Sequence, residues 1–178
     1  TIGHPDDFVF DVIDEVLTEG VTSRLYSTLV RDKRLAASVL SDTNYPGVRA
    51  PNLFVIAATP LAPHSVTEVE TAIYEELDRL KTEPISAKEF ERVLNGLDAD
   101  LVRSLRSNSG LASQLAFYQT VAGTWRYVLN ARDRIAAVTP ADVQRVAAQY
   151  LTKPNRTVGV LVKKAQDKKM AAAGEVAR

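Results

Sequence analysis

The sequence lacks cysteine and is poor in other residue types that carry chemistry. Its 178 residues include no cysteine, two histidines, one tryptophan and one methionine. The absence of cysteine excludes a disulfide framework and a thiolate zinc site, although it does not distinguish the cytosol from the periplasm. A Gly-rich phosphate loop and a nucleophile elbow are also absent from the sequence.

The chain also lacks an excess of either charge and any long apolar run. Lys and Arg together number 22, Asp and Glu together also number 22, and the net charge is zero. A basic surface for nucleic acid or an anionic membrane is therefore not expected. No signal peptide and no run long enough to span a bilayer is visible.

What is present is typical of a globular domain. The composition is 46% hydrophobic and 25% charged, and the length suffices for one domain with a core. We predict a single domain over residues 1–163 and a polar tail over 164–178. The chain opens at Thr1 and not at Met, a few residues before a helix, so we expect it to be a piece of a longer protein.

Periodicity and capping signals predict the element order. Residues with helical spacing follow His4-Pro5-Asp6-Asp7, and capping residues precede further helices at Ser65, Ser86 and Thr139. Two β-compatible segments flank a turn at Asn44–Gly47. The predicted order is helix, helix, strand, strand, five helices, strand, with the strands at 37–43, 53–59 and 157–162.

Residues 22–39 are the most informative segment. Leu25, Tyr26, Leu29 and Val30 have the spacing of an apolar helical stripe, and the pattern then changes to the β-compatible Ser38-Val39-Leu40. This segment resembles the non-catalytic half of the pitrilysin/insulinase family of zinc metallopeptidases, which includes the mitochondrial processing peptidase. The matching pieces are Ser23-Arg24-Leu25-Tyr26 and Leu35-Ala36-Ala37-Ser38-Val39, and weaker ones at Gly3–Asp6, Ser86–Phe90, Val138–Val143, Tyr150-Leu151 and Asn155–Val158.

The resemblance implies a fold. It predicts an α+β domain in which an antiparallel sheet is covered by helices, a mitochondrial processing peptidase-like half-domain. The family places a strand just before the Gly-His-Pro-Asp segment, so we expect the domain to lack its first strand here. An unrelated helical adaptor is the alternative, and an antiparallel sheet covered on one face by helices would count against it.

Zinc chemistry is not expected within this chain. The family's catalytic domain binds zinc through an H-x-x-E-H helix, and neither His4 nor His64 belongs to such a motif. We interpret both histidines as residues that precede helices, and Ser38 and Ser41 as strand residues, not nucleophiles. No catalytic residue, metal ligand or cofactor is predicted in this chain, and zinc is expected in the catalytic domain of the parent protein.

The resemblance also implies a role for two positions. In the family, the half opposite the zinc often donates an arginine from the helix and a tyrosine from the strand to hold the substrate and the developing oxyanion. Alignment puts Val30 and Ala37 at these positions. Arg31 could restore the arginine after a shift of one residue, whereas the nearest tyrosine to Ala37 is Tyr45. The substrate-binding residues are otherwise unknown.

These observations lead to one functional hypothesis and one alternative. The first is a non-catalytic domain that lines the substrate chamber of a zinc metalloendopeptidase, placed downstream of the zinc-bearing domain. The alternative is a structural or assembly pseudoenzyme subunit with the same fold. The expected partners are the N-terminal catalytic domain of the same chain, a second family subunit and a peptide substrate. The resemblance to the family implies the bacterial periplasm as the expected compartment.

Overall fold

The computed structural model describes residues 1–162, and all structural statements below refer to them. The predicted polar tail, 164–178, lies outside the described residues. The elements, in chain order, are α1 (Asp7–Leu17), a π-helical segment (Tyr26–Asp32), β1 (Ala36–Tyr45), β2 (Leu53–Pro60), α2 (Val66–Thr82), α3 (Ala87–Leu105), α4 (Asn108–Val121), α5 (Tyr127–Ala136), α6 (Pro140–Tyr150) and a 3₁₀ turn (Lys153–Asn155).

Local capping explains where most helices begin. Ser65 and Glu68 form a reciprocal capping box at the start of α2, and Thr139 and Asp142 form another at α6. Ser86 also caps its helix, by accepting from the backbone N–H of Glu89, but the Glu89 carboxylate binds elsewhere. Glu89 therefore does not complete a reciprocal box with Ser86, because Arg24 binds its carboxylate.

The sheet has two antiparallel strands and two different faces. Val39 pairs with Ala58 and Ser41 with Ile56, and these residues face the helices. The cross-strand pairs that alternate with these two face away from the helices. The observed architecture is an antiparallel sheet covered by helices, which confirms the α+β prediction and counts against the helical adaptor.

Helix α1 lies at the centre of the core. Its stripe of Val12, Ile13, Val16 and Leu17 has no exposed surface, because α3, α6 and β1 all pack around it. Phe10 lies between the rings of Phe54 and Tyr150, at centroid distances of 5.6 and 5.5 Å.

Buried Asp6 fixes the start of α1 against α6. Its carboxylate accepts from the Arg145 guanidinium at 2.8 Å and from the Tyr150 hydroxyl at 3.0 Å. The hydrogen bond from Arg145 holds the pKa of Asp6 below its usual range.

One sequence-based prediction was wrong. Residues 157–162 do not form a strand: they are exposed, and no strand within residues 1–162 pairs with them. A β-strand needs hydrogen-bonding partners, so β propensity alone does not create one. The second predicted helix is present, but most of it is π-helical.

Among residues 1–162, no helix combines the length and apolar character needed to cross a bilayer.

Candidate functional site

The π-helical segment and the start of β1 correspond to the residues that the sequence singled out. The backbone N–H of Lys33 donates to the carbonyl of Thr28 at 3.0 Å, five residues earlier. The N–H of Leu35 then donates to the carbonyl of Leu29 at 2.8 Å, and Arg34 between them has a φ of 51°. Such wide turns are rare and occur often at functional sites.

Side chains within this segment and just before it hold it in place. Arg24 donates two hydrogen bonds to the Glu89 carboxylate of α3, at 2.8 and 2.9 Å. Thr28 donates to Glu76 of α2 at 2.8 Å, and the fully buried Ser23 donates to the carbonyl of Gly20. The bond from Arg24 lowers the pKa of Glu89. The residues that suggested the family are therefore anchors of the segment.

Val30 and Ala37 offer the solvent neither a cation nor a hydroxyl group. Val30 is half-buried and packs against the core, while Ala37 is exposed at an irregularity in β1 between Ala36 and Ser38. The Arg31 guanidinium is exposed and bound to Asp32 at 2.7 Å. Tyr45 lies at the other end of β1, roughly 27 Å from Ala37 at the usual rise per residue.

The outward side of the sheet forms an accessible surface. We call it the open sheet face and define it by the cross-strand pairs Ser38–Thr59, Leu40–Ala57 and Asp42–Val55. Leu40, at its centre, is 55% exposed. Because residues alternate between the two faces of a strand, the helices that cover the inner face leave this one free.

Carboxyl groups of α1 lie beneath the sheet. Ser41 donates to Asp14 and is also hydrogen-bonded to Thr18, and Thr43 donates to Asp11 at 3.4 Å. Burial and the neighbouring charges of Asp7 and Asp14 raise the pKa of Asp11 to about 7. Burial also raises the pKa of Asp14. The sequence analysis did not identify this cluster. The sequence shows the acidic residues of α1 and the hydroxyl residues of β1, but only the structure shows that they are in contact.

Glu15 is a third acid of α1 whose pKa is raised by burial. Burial, together with the charges of Glu19 and Asp100, raises its pKa to about 7. A Cβ placed on Gly96 of α3 would lie 3.3 Å from its Oε2 atom. The absence of a side chain at Gly96 therefore allows α1 to approach α3 closely.

The residues present do not fit a catalytic zinc ion. No group of three or more His, Cys, Asp or Glu within residues 1–162 is placed to hold a metal ion. The Nδ1 atom of His4 accepts from the backbone of Asp6, and that of His64 lies 3.2 Å from Glu68. The sequence reasoning overlooked Glu68, four residues after His64, but its carboxylate belongs to the cap of α2. No catalytic step is derived through a metal in this chain.

The family model of the peptidase M16 inactive domain matches residues 1–97, more than half of the chain. The chain belongs to this family. It is an inactive peptidase domain of the zinc-protease type, which confirms the resemblance inferred from residues 22–39.

Two curated relatives extend the match beyond the family model. The inactive domain is 27% identical over 147 residues to the zinc protease PqqE of Helicobacter pylori, covering 83% of this chain and 32% of that protein. It is 32% identical over 141 residues to the zinc protease SCO5738 of Streptomyces coelicolor, covering 79% of this chain and 30% of that protein. The chain thus spans about a third of the length of these relatives.

Solved structures show the same fold. A protease from Helicobacter pylori superposes with a TM-score of 0.80 at 25% identity, covering 87% of this chain and 36% of that one. The inactive peptidase domain from Bordetella parapertussis superposes with a TM-score of 0.77 at 26% identity, covering 90% of this chain and 85% of that one.

Proposed function

We propose that this inactive domain forms part of the wall of a peptide-binding chamber in a zinc metalloendopeptidase. The zinc and the catalytic base would be supplied by a separate zinc-bearing domain of the parent protein, or by a second family subunit. The main support for the proposal is the open sheet face. This surface is accessible and partly apolar, and it belongs to a domain of the peptidase M16 inactive-domain family.

The chemistry of this face suits an extended peptide better than a small polar ligand. Leu40, Ala57 and Val55 provide apolar contact, and Ser38 and Thr59 add hydroxyl groups at one end. A strand edge beside the face could also pair with peptide backbone. Zinc is accordingly proposed for the parent protein and not for this chain.

The alternative role is a structural or assembly subunit. It is favoured by Val30 and Ala37, which provide neither of the two groups that the family uses near the substrate. The placement downstream of the zinc-bearing domain and the periplasmic compartment stay predictions.

Replacing Leu40 with glutamate tests the chamber role. With the zinc-bearing half present, we expect the KM for an apolar extended peptide to rise roughly tenfold while kcat changes little, because the contact is made equally in the ground and transition states. Steady-state hydrolysis of a fluorogenic peptide measures both constants.

Val21→Glu is the matched control, because Val21 is also a strongly exposed aliphatic residue, placed between α1 and the π-helical segment. It should leave KM unchanged. If the mixture is active and Leu40→Glu has the same KM as the wild type, the chamber role is rejected in favour of the assembly role.

A further inference from the structure

The surface formed by α4 differs from the rest of the molecule in charge. From Ser107 to Trp125 the sequence contains no Asp, Glu, Lys or Arg, although 25% of the whole chain is charged. A solvated helix usually carries charged residues on its outer side. Helix α4 has none on any side.

This uncharged helix is exposed along its length. None of its residues is buried. It is held to the domain on one side, where the Tyr118 ring stacks on Tyr127 at a centroid distance of 5.2 Å. We define the neutral helix face by the exposed residues Ala112, Ala116, Phe117, Thr120 and Trp125.

Arginines without carboxylate partners stand at both ends of the neutral helix face. Arg106 directly precedes the N-cap of α4, and Arg126 follows Trp125 and lies over its ring at 4.6 Å. Arg49 donates to the carbonyl of Thr120 at 3.2 Å. Within residues 1–162 none of the three forms a salt bridge, whereas Arg103 and Arg132 on the adjoining helices bind Asp100 and Asp98.

An uncharged centre with aromatic residues and an arginine rim is the usual composition of a protein–protein interface. We propose that the neutral helix face docks the zinc-bearing half of the peptidase, an inference that rests on the proposed function. The partner surface should be apolar and flanked by carboxylates. Because the 14 residues of α4 extend over about 21 Å, these carboxylates should lie roughly 20 Å apart.

Charge complementarity argues against a second copy of this chain as the occupant. A two-fold symmetric contact through α4 would bring the same patch of each copy together. Since Arg106 and Arg126 stand at opposite ends of α4, either helix orientation would place arginine against arginine. A partner with acidic groups removes this repulsion.

Binding of the separately purified zinc-bearing half to this chain tests the proposal by calorimetry. Ala116→Glu places a charge in the centre of the neutral helix face and should weaken binding at least tenfold. Ala148→Glu makes the same change at an exposed alanine of α6 and should leave affinity within twofold of the wild type. The circular dichroism spectra of both variants should match that of the wild type.

A second variant, Arg106→Glu combined with Arg126→Glu, tests the rim independently. Wild-type affinity should fall as salt rises from 50 to 500 mM, whereas this double variant should bind more weakly and gain affinity over the same range, because salt screens its repulsion from the partner's carboxylates.

The outcomes separate this inference from the proposed function. If the wild type binds the zinc-bearing half but Ala116→Glu binds equally well, the docking surface lies elsewhere and the proposed function stands. If the wild type does not bind that half, both fail. A wild-type dimer that Ala116→Glu abolishes would instead identify a second copy as the occupant and overturn the proposal.

Discussion

Replacing Asp11 with asparagine is expected to stabilise the domain by about 2–4 kcal/mol at pH 8 and by almost nothing at pH 4. In the folded protein the pKa of Asp11 is raised from 3.8 to about 7, first by burial and then by the charges of Asp7 and Asp14. Asparagine keeps an oxygen that can accept from Thr43 but carries no charge.

The direction of the pH dependence follows from proton binding. Between about pH 4 and pH 7 the folded state holds a proton on Asp11 that the unfolded chain has lost. The free energy of unfolding of the wild type therefore falls as pH rises through this window, and the penalty is complete above it. Each unit of pKa difference corresponds to about 1.4 kcal/mol.

Urea unfolding of both proteins at pH 4, 6 and 8 measures the effect. Asp133→Asn, at an exposed position of α5, is the control and should change the free energy of unfolding by no more than about 0.5 kcal/mol at any pH. An Asp11→Asn effect that is equal at all three pH values, or destabilising at pH 8, would show that the carboxyl group is solvated.

Replacing Leu29 with alanine should destabilise the domain by about 2–5 kcal/mol, because it removes a fully buried side chain and leaves a cavity. Leu29 is the buried residue of the π-helical segment, and its carbonyl also accepts from the N–H of Leu35 at the start of the sheet. The loss should therefore loosen the connection between the segment and β1. Thermal and urea unfolding measure the first effect, and amide hydrogen exchange in β1 measures the second.

Leu129→Ala is the matched control, since Leu129 of α5 is exposed. It should cost no more than about 0.5 kcal/mol. If the two substitutions cost the same, the packing described for the π-helical segment is incorrect.

Much of the fold was predictable because local chemistry determines it. The apolar stripe of α1 is buried as its spacing predicts, and Ser65 and Thr139 cap their helices as predicted. Both strands of the sheet lie within three residues of their predicted bounds. The caps depend on contacts between residues close together in the chain, and the spacing of apolar residues shows which side of α1 can be buried.

The features that could not be predicted depend on distant contacts. The π-helical turn requires Arg24 and Thr28 to reach partners on α3 and α2, far along the sequence. Asp11 has the spacing of a solvated helical residue, but it lies beneath the sheet, where the Thr43 hydroxyl of β1 donates to its carboxylate. Residues 157–162 have high β propensity but no strand beside them within residues 1–162.

The candidate site was predictable in its positions but not in its surroundings. Alignment identified Val30 and Ala37, whereas the half-burial of Val30 and the irregular pairing near Ala37 required the structure. The sequence signal for the neutral helix face is the uncharged stretch from Ser107 to Trp125. Such a stretch is equally compatible with a buried helix, so the sequence alone does not show that α4 is exposed.

The most direct test of the central claim is hydrolysis of an extended fluorogenic peptide by three zinc-equilibrated samples: this chain, the zinc-bearing half, and the two together. We predict that the chain alone cleaves nothing and retains no stoichiometric zinc, and that the mixture cleaves much faster than the zinc-bearing half alone. Cleavage by the isolated chain, one zinc per chain, or equal rates with and without the chain would contradict this prediction.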